Sequence, residues 1–129
     1  MFFIFSLFIV FLCLQENERW LVLVVDFPDR EFTQQQAISS ATDLMKPAAS
    51  QYIQQMSRGS SSLTVDVHQT LTTASENLAF YGEDYGGEKD TTAGGKHGPM
   101  QLANEVLSSR LDDVNWNDYD LDNDGTVDR

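Results

Sequence analysis

A chain of 129 residues has room for one domain, or part of one, with a single modest core. Hydrophobic residues at 41% and charged residues at 22% exclude a disordered chain. Twenty Asp and Glu against eight Lys and Arg leave a formal charge of −12, which repels phosphate backbones and anionic head groups and so argues against nucleic-acid and membrane-surface binding.

The chain begins with "MFFIFSLFIVFLCL", residues 1–14, apolar except for Ser6. This length suits a signal-peptide core and falls short of the roughly 20 residues that span a bilayer. The expected localisation is secreted or extracellular, with membrane attachment only through this segment if it is not cleaved. No Lys or Arg precedes the apolar run and no small-x-small cleavage site follows in "QENERW". A misassigned start or a buried hydrophobic strand therefore remain the other readings of residues 1–14. Cys13 is the single cysteine, so no intrachain disulfide and no cysteine metal cluster can form.

After a polar break at residues 15–19, the continuous apolar run at residues 20–25 predicts a strand covered on both faces, as in the centre of an α/β sheet, ended by Pro28 and Asp29. Residues 33–57 predict helix in two pieces, because Pro47 cannot donate to the preceding turn. In the second piece Ala48, Tyr52, Ile53 and Met56 mark the expected apolar face, and Gly59 the expected cap. The alternation of Leu63, Val65 and Val67 with Thr64, Asp66 and His68 predicts a strand with one core face and one wet face. Residues 72–98 hold most of the glycines and predict a long surface loop. A helix is expected over 99–111, with Pro99 at its start and Met100, Ala103, Val106, Leu107 and Leu111 on its apolar face. No internal repeat and no heptad pattern occurs. The order strand, helix, strand, loop, helix predicts an α/β fold with a central sheet and packed helices.

The chain closes on "NDYDLDNDGTVDR". Asp120, Asp122 and Asp124 fall at positions 1, 3 and 5 of a loop, Gly125 at 6, Thr126 at 7 and Asp128 at 9, the arrangement of calcium loops. The chemistry explains the spacing: a hard cation wants six to eight oxygens at about 2.3–2.6 Å, and alternate residues on a tight turn aim their carboxylates at one centre. Thr126 would contribute its backbone carbonyl. Without a cation the carboxylates repel one another by about 1 kcal/mol per close pair even at the dielectric of water. The bland alternative is an ordinary Asp-Gly turn. The bidentate acid that usually completes such a shell, at position 12, would lie past Arg129.

The other polar motifs carry less. His68 sits on the wet side of its strand and His97 in the Gly-rich loop, and neither has a partner at metal-ligand spacing, so no zinc site is expected from them. "GGKHG" fails as a phosphate loop, with Asp90 where the first glycine belongs and His97 in place of Ser or Thr. "RGSSS" lacks the second glycine of a nucleophile elbow.

Taken in order, "LVLVVDFPDREF", "YIQQMSRGSSSLTVDV", "FYGEDYGG", "MQLANEVL" and "WNDYDLDNDGTVDR" resemble the first part of the catalytic domain of the immune inhibitor A family of secreted zinc metallopeptidases. The resemblance covers residues 20–129 and implies a partial, zincin-like catalytic domain. On this expectation the chain is an N-terminal portion that ends before the zinc helix and its HExxH. The resemblance implies peptide-bond hydrolysis of a protein or peptide substrate, with zinc-bound water as nucleophile, a Glu as general base and two His as ligands. None of those catalytic residues is in this chain, which is expected to be inactive alone. The acidic turn would be a calcium brace just ahead of the catalytic helix, holding the junction rigid. Two rival readings stand beside this one: a non-catalytic extracellular calcium-binding or adhesion module, and a structural α/β domain whose acidic turn binds nothing.

Overall fold

The computed structural model describes residues 17–127, so the signal-like segment 1–14 and Asp128 of the acidic phrase lie outside the described residues. Within them the fold is mixed α/β. Strand β1 (Asn17–Val22) pairs in parallel with β3 (Ser62–Val67), in a register running from Asn17↔Ser62 to Val22↔Val67. A second short parallel pair joins β2 (Val25–Asp26) to β4 (Thr72–Thr73). The predicted single strand over 20–25 is thus divided. Its partner is divided too: β3 ends at Val67, His68 N–H still donates to Val22 O at 3.0 Å, the chain loops out through residues 69–71, and the ladder resumes with Thr72 N–H donating to Val24 O at 3.0 Å.

Helix α1 (Gln34–Met56) makes the crossover between β1 and β3. Thr33 caps its start, with Oγ1 accepting from the Gln36 N–H at 3.3 Å. The expectation of two pieces is corrected here, because α1 runs unbroken through Pro47. Proline removes one hydrogen bond, and Asp43 and Pro47 both lie on the exposed side, where water can take up the freed carbonyl. Of the predicted inward face Ala48, Tyr52, Ile53 and Met56, only Ile53 turns to the strands. Ile38, Ala41, Met45, Ala49 and Ile53 pack toward the strands, whereas Tyr52 and Met56 remain 58% and 67% exposed. The apolar residues at 44, 48, 52 and 56 form a second stripe at helical spacing, and from the sequence it competes equally with the true one.

The core lies between α1 and one face of the β1–β3 pair, where Ile38, Leu63, Val65 and Val67 are buried and Trp20 and Val22 pack against them. The alternation predicted for β3 is therefore correct. The expectation that the first strand is covered by helices on both faces is not: every β1 residue from Glu18 to Val22 is only half-buried, and the opposite face carries Arg19 and Asp66. That face is closed by a polar cluster in place of a second helical layer.

Residues 72–98, predicted as a surface loop, are more ordered than their glycines imply. They contain β4, the single-turn helix α2 (Leu78–Tyr81) and a 3-10 turn (Tyr85–Gly87), and they bury Ala74, Tyr81 and Thr92. Helix α3 (Gly98–Ser108) follows, with Pro99 in its first turn as expected. A Cβ on Gly98 would stand 2.1 Å from the Tyr81 carbonyl oxygen, so only glycine admits this approach of α3 to α2. Of the predicted apolar face of α3 only Val106 is buried, while Met100 is 60% and Leu111 57% exposed. Glu105 stands on the inward side instead. Its carboxylate accepts from the Tyr81 hydroxyl at 2.7 Å and from the Ser75 N–H and Oγ at 2.6 and 3.0 Å.

Candidate metal centre

A second 3-10 turn (Trp116–Tyr119) delivers the chain to the acidic phrase. Trp116 Nε1 donates to the Leu111 carbonyl at 3.0 Å, and Asn115 Nδ2 to Asp118 Oδ1 at 3.0 Å, which close the turn on itself. Tyr119 is buried and ties the turn to the sheet: its hydroxyl donates to Asp66 Oδ2 at 3.2 Å. The same oxygen pairs with Arg19 Nε at 2.5 Å, and the Arg19 guanidinium lies 5.3 Å from the centre of the Tyr119 ring. The hydrogen bond to Asp66 holds Arg19 above its ordinary pKa. Burial first, and then the charge of Asp66, push the Tyr119 hydroxyl up. Both groups keep the protonation state that the cluster requires.

The residue after Tyr119 is Asp120. Asp120, Asp122 and Asp124 each offer a carboxylate oxygen, and these oxygens lie within 4.8 Å of one another. Among the described residues this is the one group of His, Cys, Asp and Glu close enough to share an ion. The backbone makes the convergence: Asn123 and Gly125 take φ values of 58° and 86°, which fold the chain tightly enough for alternate side chains to meet. The Asp124 N–H donates to Asp120 Oδ1 at 3.0 Å and to Asp122 Oδ1 at 3.2 Å. Gly125 N–H donates to Asp120 Oδ2 at 2.9 Å, and Thr126 N–H to Asp124 Oδ1 at 2.8 Å. These bonds orient the carboxylates and offset part of their mutual repulsion. Asp120 is half-buried, and Asp122, Asp124 and Thr126 are exposed.

Of the five residues expected to form the site, the fold brings together Asp120, Asp122 and Asp124. Thr126 adjoins them through its N–H, and Asp128 lies outside the described residues. An all-oxygen donor set suits a hard divalent cation and disfavours zinc, which prefers nitrogen and sulfur. The histidines do not alter this. His68 lies at the end of β3 with Nδ1 accepting from the Thr70 N–H at 3.2 Å, and His97 precedes α3, exposed. What sequence reasoning missed is the tether: Arg19, Asp66 and Tyr119 are separated by 47 and 53 positions, and no local pattern marks them as partners.

Comparisons with protein-family models, with curated proteins and with solved structures give no match to this chain.

Proposed function

We propose that the acidic turn binds calcium through Asp120, Asp122 and Asp124, completed by the Thr126 carbonyl and Asp128, and that the cation braces the end of this α/β unit. The observation that carries the reading is the convergence of three carboxylates on a turn anchored to the sheet through Tyr119. A cation there neutralises three like charges and locks the chain direction leaving the turn. The wider reading is that the chain is the N-terminal part of a secreted, zincin-like zinc metallopeptidase that hydrolyses proteins or peptides. It rests on the motif order from "LVLVVDFPDREF" to the acidic turn. The residues in hand supply no zinc ligand set, and no catalytic step is assigned to them.

The rival reading, a non-catalytic calcium-binding or adhesion module, is favoured by the same turn taken alone. Two measurements separate these readings. The full chain, stripped with chelator, is melted across a calcium titration. Saturation at a hundred times Kd is expected to stabilise it by about 2.7 kcal/mol, and Asp122→Asn with Asp124→Asn removes the effect. No rise in melting temperature for the unsubstituted chain overturns the calcium reading of the turn and favours a turn that binds nothing. The coding sequence is also read past the Arg129 codon: an HExxH helix within a few tens of residues supports the peptidase, and a second acidic loop supports the rival.

A further inference from the structure

We draw no further inference here: the strongest candidate, the exposed apolar stripe of Leu44, Ala48, Tyr52 and Met56 along α1, is an unpartnered helix face, and nothing in the structure shows what covers it.

Discussion

Between α1 and the β1–β3 pair the contacts are apolar, with Ile38, Leu63, Val65 and Val67 buried together, whereas the segment from β4 to α3 is pinned by Tyr81 and Ser75 on Glu105 and by Arg110 on Thr72 Oγ1 at 3.0 Å. Apolar packing tolerates small displacements and is indifferent to pH, while hydrogen-bond pins require direction and a fixed protonation state. The first region gains its stability from area removed from water. The second adds to its buried Ala74, Tyr81 and Val106 a few directed bonds, and each of those bonds is a point of failure.

The largest effect is expected in the apolar region. Leu63→Ala should cost about 2–5 kcal/mol, read from chemical denaturation, because the buried methyls leave a cavity between β3 and α1. Gly98→Ala comes next: its Cβ meets the Tyr81 backbone, which cannot rotate away, and a loss of about 1–3 kcal/mol is expected, concentrated in amide exchange of residues 78–106. An equal loss of protection in β1 and β3 would show that the two regions unfold as one.

The smallest effect is the sharpest test of the difference. Burial pushes the Glu105 carboxyl up, but its bonds from Tyr81 and Ser75 outweigh burial and hold it below the ordinary value. Its folded pKa thus lies under its unfolded one. The contribution to stability is complete above about pH 4.3 and fades as pH falls through the folded value. Glu105→Gln is expected to flatten this acid limb when Tyr81 is followed by near-ultraviolet absorbance. An unchanged acid limb in that variant would mean that other carboxylates control the docking of α3.

The residues differ in how far they announced this arrangement. Leu63, Val65 and Val67 alternate with polar neighbours, and a period of two is unambiguous once one face is buried. The acidic turn was legible for a similar reason: its geometry follows from residues within six positions of one another. Helix α1 was legible as a helix but not in its facing, because Leu44, Ala48, Tyr52 and Met56 form a stripe as regular as that of Ile38, Met45 and Ile53. Pro47 misled because its penalty depends on whether the orphaned carbonyl meets water, which sequence alone does not state. Residues 72–98 misled through their glycines, whose turns here separate short elements that bury Tyr81 and Thr92. The Arg19–Asp66–Tyr119 cluster was not legible, since each partner comes from a different element and only the fold brings them together.

Trp20 sits in β1 against the α1 core, and Trp116 stands in the turn that leads to the acidic phrase; the chain has no third tryptophan. One intrinsic fluorophore thus stands at the apolar core and one beside the acidic turn. Replacing either by Phe turns the remaining indole into a private reporter, so that emission alone can tell melting of the core from a cation arriving at the turn.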